Sequence, residues 1–277
     1  MGGSPLSVDR DLLELMVAYG FLPTETVSGV RPAAARSEAP DPRRTPGVSA
    51  RVLAVAGAAP RAGRTTIVTG LAHAWSRQGR SVLLIDLDPS DDLARLLLLG
   101  SAITVNTGQY LLRAVTIGEC VEPSRTVIPG VDVVCSGSLS TWDPDALPAR
   151  LRGRPEALRA ALGARLASYD RVLIDVPNAP ASLWEAASAL ADAVLLVMPA
   201  GAIGPVPTLA KQRHVLLTGL DPLAPPPAEA IAALPDRLDT AIPLLPGVHT
   251  PWDVVAGAGG RTSDIAFAAL AAELDAR

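Results

Sequence analysis

Lysine is almost missing from this chain of 277 residues: of 24 basic residues one, Lys211, is lysine, and the rest are arginine. Acidic residues outnumber them at 28, giving a formal net charge of −4. A surface that neutralises nucleic-acid phosphates normally carries a basic surplus. The deficit argues against nucleic acid, and against an anionic membrane surface, as a partner. Cysteine is equally scarce. Cys120 and Cys135 are too few and too widely spaced for a zinc cluster or a disulfide framework, and read as reduced, packed thiols of a cytoplasmic protein. No run of about 18 uncharged apolar residues occurs, so the sequence offers no spanning helix and no direct membrane insertion. Near the amino terminus Asp9, Arg10, Asp11 and Glu14 interrupt the apolar residues, which does not fit a secretory signal. No internal repeat is visible.

What is present is 49% apolar residues, enough for one α/β domain of about 200–250 residues with an appendage. Residues 1–24 place Leu12, Leu13, Met16 and Tyr19 on one stripe of a short amphipathic helix ended by Gly20 and Pro23. Two readings stand side by side: a partner-docking helix, or one that packs on its own domain or is disordered. Residues 25–48, rich in Pro, Ala and Arg without a period, read as a flexible linker. From 49 to 277 short apolar strands alternate with helical stretches. Strands are expected at 51–57, 81–86, 131–135, 170–175, 193–198, 213–218 and 238–242. Helices are expected at 65–79, 91–98, 107–114, 155–168, 181–191, 205–212 and 263–275. Nearly continuous runs of Val, Leu and Ile suit strands covered on both faces. The alternation predicts one doubly wound, mostly parallel sheet flanked by helices, with ligands at the carboxyl ends of the strands. Arg150, Arg152, Arg154, Arg159 and Arg165 read as a solvated face.

The segment Val55 to Ile67 leaves a strand and enters a helix. Backbone N–H groups and the helix dipole favour a phosphate at such a start. Against the spacing G-x-x-x-x-G-K-[ST], Ala58 stands at the first glycine, Gly63 at the second and Arg64 at the lysine. Thr65 is placed to ligate Mg²⁺ and Thr66 to bond a phosphate. Alone, this loop is equally a plain strand–helix turn. Two further segments shift the balance. Ser81–Ser90 ends a strand with Asp86 and Asp88, and Tyr169–Pro177 ends another with Asp175. Carboxylates at the mouths of buried strands are costly unless a cation or a water network uses them. For Asp88 the plainer alternative is capping of the helix that follows.

Together these residues resemble the ParA/MinD-like P-loop family, whose deviant Walker A motif reads K-G-G-x-G-K-[ST]-[ST]. The likeness covers about 51–275 and includes the "DLDP" run at 86–89, Tyr169–Pro177, and Ala191–Pro199. It implies the SIMIBI type of P-loop NTPase fold and ATP or ADP with Mg²⁺ as cofactor. Nucleotide would be held by Gly57, Arg61, Ala62, Gly63, Arg64, Thr65 and Thr66. Metal coordination, direct or through water, would fall to Thr65, Asp86 and Asp175, and water positioning to Asp88. Thr218 takes the place of the asparagine on the base-side strand. The resemblance further implies a homodimer across the nucleotide face. Both motif lysines are replaced: the cross-dimer signature lysine falls on Ala59 and the Walker lysine on Arg64. Pro60 and Arg61 fall on the two glycines. Arg61 either substitutes for the cross-dimer cation or is a solvated loop charge. These replacements weaken phosphate clamping and imply a slow or inactive ATPase.

Within that family the chain is most similar to the BcsQ (YhjQ)-type accessory proteins of bacterial cellulose secretion. The likeness rests on Ala72–Ser76, on Val131–Ser140 and, loosely, on Ile242–Pro246, Asp253–Gly260 and Ser263–Ile265. It implies a cytoplasmic regulatory or scaffolding subunit recruited to the inner membrane through the proteins of a secretion complex. An active positioning or partitioning ATPase and a nucleotide-free structural pseudo-ATPase are the alternatives. The last helix ends acidic rather than basic, so it reads as core packing and not as a membrane-targeting tail.

Overall fold

The computed structural model describes residues 51–90, 92–97, 110–137, 143–207, 211–221, 225–245 and 247–277. The expected amino-terminal helix and linker lie outside them. One eight-stranded sheet organises the described chain, in the order β3-β4-β2-β5-β1-β6-β7-β8. The strands are β1 (Arg51–Gly57), β2 (Val82–Asp86), β3 (Ser124–Arg125), β4 (Val131–Val134), β5 (Arg171–Val176), β6 (Ala193–Pro199), β7 (Gln212–Leu220) and β8 (Ile242–Pro243). Only the β3–β4 pairing is antiparallel.

Alternate side chains of the central strands pack on opposite faces of the sheet, as the two-residue period of a strand requires. On one face Leu53 and Val55 of β1 pack with Ile67, Leu71 and Trp75 of α1 (Arg64–Arg77). The same layer holds Leu93 and Leu97 of α2 (Asp92–Leu97) and Phe267, Leu270 and Leu274 of α9 (Gly260–Ala276). On the other face Val52 and Ala54 pack with side chains of α3 (Leu111–Ile117), α4 (Ala146–Leu151), α5 (Glu156–Leu162) and α6 (Ala181–Leu190). Two short helices, α7 (Ala228–Ala232) and α8 (Pro251–Val255), complete the set among the described residues. The doubly wound α/β architecture is the expected one.

Several element boundaries differ, each for a local reason. The helix expected over 155–168 stops at Leu162, because Gly163 takes a left-handed φ of 51°, and a 3₁₀ turn runs on to Ser168. The helix expected over 205–212 is not helical in its described part: Gln212 already belongs to β7. Pro205 and Pro207 hold Gly204 and Val206 out of the helical region. The strand expected over 238–242 shrinks to Ile242–Pro243. The Asp239 and Thr240 N–H groups bond the Glu273 carboxylate, at 2.9 and 2.8 Å, instead of a neighbouring strand. Helix α8 was readable but missed: Thr250 and Asp253 form a capping box around Pro251.

Trp75 is core, 2% exposed on the inner face of α1, with the Arg171 guanidinium 5.7 Å from its ring. The five arginines from Arg150 to Arg165 are exposed, as expected of a solvated face. Cys135 is buried but Cys120 is exposed, so only one of the two thiols is packed.

Candidate functional site

Strand order decides where the chemistry collects. β1 lies between β5 and β6, and its register sets Val55 beside Asp175 and Gly57 beside Val197. β2 lies on the far side of β5, with Asp86 directly opposite Asp175. The loop leaving β1, the two carboxylates and the start of α1 therefore meet at the carboxyl edge of three adjacent strands, where open α/β sheets bind ligands.

The loop is tightly determined. Ala58 N–H bonds the Val197 carbonyl at 2.8 Å, and Ala62 N–H closes a turn on the Ala59 carbonyl at 3.3 Å. Pro60 stands second in that turn and Arg61 third, with φ 60°. This is the pattern of a type II turn, whose third position ordinarily takes glycine. Gly57 is closely overlaid. A Cβ there would meet the Ala59 carbonyl oxygen at 3.0 Å, the Ala62 Cβ at 3.2 Å and Asn178 Oδ1 at 3.3 Å. Gly63 caps α1 in the left-handed region, φ 86°, and no side chain caps the helix start. Left-handed residues at Arg61 and Gly63 curl the loop in the way that anion-binding backbone concavities are built. A Cβ at Gly63 would meet nothing within 4 Å, so the loop is open on that side.

Behind the loop, Asp175 is buried. Burial pushes its carboxyl above the usual range, while the Arg64 guanidinium and the Thr65 hydroxyl pull it back down. Thr65 Oγ1 donates to Asp175 Oδ2 at 2.8 Å, and Arg64 Nε donates to the other oxygen. The same guanidinium extends Nη2 to Asp88 Oδ2 at 3.0 Å. Asp88 is itself fixed: its Oδ1 accepts from Ser90 N–H at 3.0 Å and Ser90 Oγ at 2.9 Å, and its own N–H donates to Asp86 Oδ1 at 3.0 Å. Asp88 thus caps the turn before α2 with one oxygen and faces the loop with the other.

The structure brings together Gly57, Ala62, Gly63, Arg64, Thr65, Asp86, Asp88 and Asp175. Thr66 is half-buried in the first turn of α1, and Arg61 is exposed on the loop. Thr218 is buried on β7, its hydroxyl donating to the Ala62 carbonyl at 3.3 Å, behind the loop rather than beyond it. Ser90 and Asn178 were missed by sequence reasoning. Each follows a strand-end aspartate by a few residues, which is the signal that would have found them.

Among the described residues no three His, Cys, Asp or Glu side chains gather as a metal site by themselves. Magnesium characteristically uses one or two carboxylates and completes its shell with water and phosphate oxygens. Thr65 and Asp86, beside an open helix start, fit that mode, with Asp175 behind them as the outer-shell acceptor of the Thr65 hydroxyl.

Fold and site define a P-loop protein of the ParA/MinD class. The model of the cellulose biosynthesis protein BcsQ family matches residues 50–221, and the chain belongs to that family. It is 33% identical over 181 residues to the chromosome-partitioning ATPase Soj of Thermus thermophilus, a match covering 62% of this chain and 65% of Soj, just under two thirds of that relative. Among solved structures, MinD from Pyrococcus horikoshii complexed with Mg-ADP superposes with a TM-score of 0.62 at 19% identity, covering 82% of this chain and 96% of that one. Cobyrinic acid a,c-diamide synthase from Mycobacterium smegmatis, with an ATP analogue and magnesium, gives 0.59 at 23% identity, over 81% and 94%. At such identities these two likenesses establish the fold alone. No described helix is long and apolar enough to cross a membrane.

Proposed function

We propose that the protein is a nucleotide-binding regulatory or scaffolding subunit of a bacterial polysaccharide secretion system, that of cellulose, with weak or absent hydrolysis. The observation that carries this reading is Arg64. It stands where the motif places lysine, and its guanidinium rests on Asp88 and Asp175. An arginine fork can still bind phosphate oxygens. The planar fork replaces the point charge of the motif lysine, and neither motif lysine is present, so transition-state charge stabilisation is correspondingly poor.

In this reading ATP or ADP lies against Gly57–Gly63 and the start of α1. Thr65 and Asp86, with Asp175 behind them, would hold Mg²⁺, which supplies charge neutralisation between phosphates when bound. Thr218 supports the loop through Ala62 and does not read the base. A homodimer across the nucleotide face fits the exposed loop, without the signature lysine at Ala59. The subunit acts in the cytoplasm and reaches the inner membrane through protein partners. The fit of the BcsQ family model supports the cellulose assignment.

Calorimetry with ATP and ADP, with and without Mg²⁺, together with steady phosphate release, tests it. The expected result is saturable binding with turnover at or below about 10⁻³ s⁻¹, the range of unassisted P-loop proteins. The likeness to Soj favours a second reading, an active positioning ATPase. Faster phosphate release that disappears in Asp88→Ala would establish that reading instead. Absence of binding under every condition would leave a structural pseudo-ATPase.

A further inference from the structure

The geometry points to a latch formed by Arg64 and Asp88: their ion pair holds the guanidinium on the carboxylates that follow β2 and end β5, and nucleotide binds by drawing it off Asp88. This rests on the nucleotide-binding reading above and adds to it a positioning residue, Asp88, that sets affinity through Arg64.

Three features build the latch. Arg64 is the first residue of α1, directly after the loop, while its side chain reaches across to the ends of β2 and β5. Its two anchors are unequal. Asp175 is 1% exposed and also held by Thr65, whereas Asp88 is 31% exposed. The more solvated pair is the weaker one and is the one that opens. Asp88 is also pre-oriented. Ser90 holds Oδ1 through two hydrogen bonds, which leaves Oδ2 turned to Arg64 without further ordering. Guanidinium spans two carboxylates with separate nitrogens, a bridge that the point charge of a lysine forms less well. The substitution that weakens the loop thus also supplies its resting counter-ion.

A latch of this kind reduces apparent affinity by the fraction of molecules in which it is open. Asp88→Asn preserves the shape of the side chain and an oxygen for Ser90 but removes the charge that holds Arg64. Titration of the full chain with ADP and Mg²⁺ is expected to give a Kd about threefold to tenfold lower in Asp88→Asn than in the wild type. In an Arg64→Met background the same substitution is expected to change the Kd by less than about twofold, because no latch remains to release. Equal tightening in both backgrounds would mean simple charge repulsion and overturns the latch. Unchanged or weaker binding in Asp88→Asn overturns it as well. If Arg64→Met binds too weakly to titrate, the Arg64 guanidinium NMR resonances, assigned by their loss in that variant, decide. They are expected to move on adding ADP to the wild type, and to lie part of the way to that position in ligand-free Asp88→Asn. Resonances that stay in place overturn the latch. Wild-type binding with no coupling between the two sites leaves the nucleotide reading intact and removes only the latch. Absence of ADP binding in every variant removes both.

Discussion

At the scale of single residues, charge in this protein is used to satisfy groups that regular structure leaves open. Arg64 spans two carboxylates at strand ends, and Glu273 does the converse at the opposite edge of the sheet. Its carboxylate accepts the N–H groups of Asp239 and Thr240 and the Arg277 guanidinium at 2.8 Å. Burial opposes the charged form of Glu273. The Thr240 and Asp239 backbone bonds, with the Thr240 and Arg277 side chains, outweigh that and bring its pKa down to about 2 from 4.5. The folded pKa lies below the unfolded one, so the stabilisation is full above about pH 4.5 and is lost as pH falls toward 2. Glu273→Gln is therefore expected to lower stability by about 1 kcal/mol at pH 7. The deficit should narrow at pH 3. Urea unfolding at the two pH values checks this, and a constant deficit would assign the effect to shape rather than charge. At this scale the sequence was most legible where a residue type has one obvious use, as at Gly63 or Asp175. It was least legible where the partner is remote. Nothing local ties Glu273 to Thr240, or Ser90 to the carboxylate that Arg64 reaches.

Elements show a second kind of dependence. Helix α1 must start at the loop and also lie close against α9, and Gly70 permits the approach. A Cβ on Gly70 would lie 2.2–2.5 Å from three ring atoms of Phe267, a side chain only 2% exposed. Replacing glycine by alanine in a helix ordinarily gains up to about 1 kcal/mol. Overpacking a buried ring costs about 1–3 kcal/mol and wins here. Gly70→Ala is thus expected to be destabilising by about 1–2 kcal/mol in chemical denaturation. The loss should shrink when Phe267→Leu is introduced with it, because the ring edge is gone. The same dependence explains which boundaries could be read in advance. β1, β2, β5 and β6 were found within a residue or two, since each is a dense apolar run covered on both faces. The described parts of the segment at 205–212 and the strand at 238–242 were misread because apolar content outweighed Pro205, Pro207 and a side-chain carboxylate that only folding supplies.

For the whole molecule, the site is a property of strand order. Loop, Asp86 and Asp175 come from separate strands, and β5 must insert between β1 and β2 before they meet. Nucleotide bound there would tie these strands and α1 together, and binding to the folded state alone would stabilise it by mass action. At a hundredfold excess over Kd the gain is about 2.7 kcal/mol. For a domain of this size, that raises the melting temperature by about 5–10 °C. Thermal unfolding with saturating ADP and Mg²⁺ measures it, and an unchanged midpoint would count against a nucleotide site at this edge of the sheet.

The sequence by itself determined the local chemistry: a strand ending in Gly57, a helix opening at Gly63, carboxylates closing two apolar runs, and the absence of both motif lysines. These follow from neighbouring residues, because propensity and hydrophobic period act over a few positions. Only the tertiary structure decided what those groups do to one another. The register that sets Asp86 against Asp175, the reach of Arg64 to both Asp88 and Asp175, and the bond of the Thr218 hydroxyl to the Ala62 carbonyl join residues far apart in the chain. Charge pairing acts through space, and the distances that govern it exist only once the strands have taken their order.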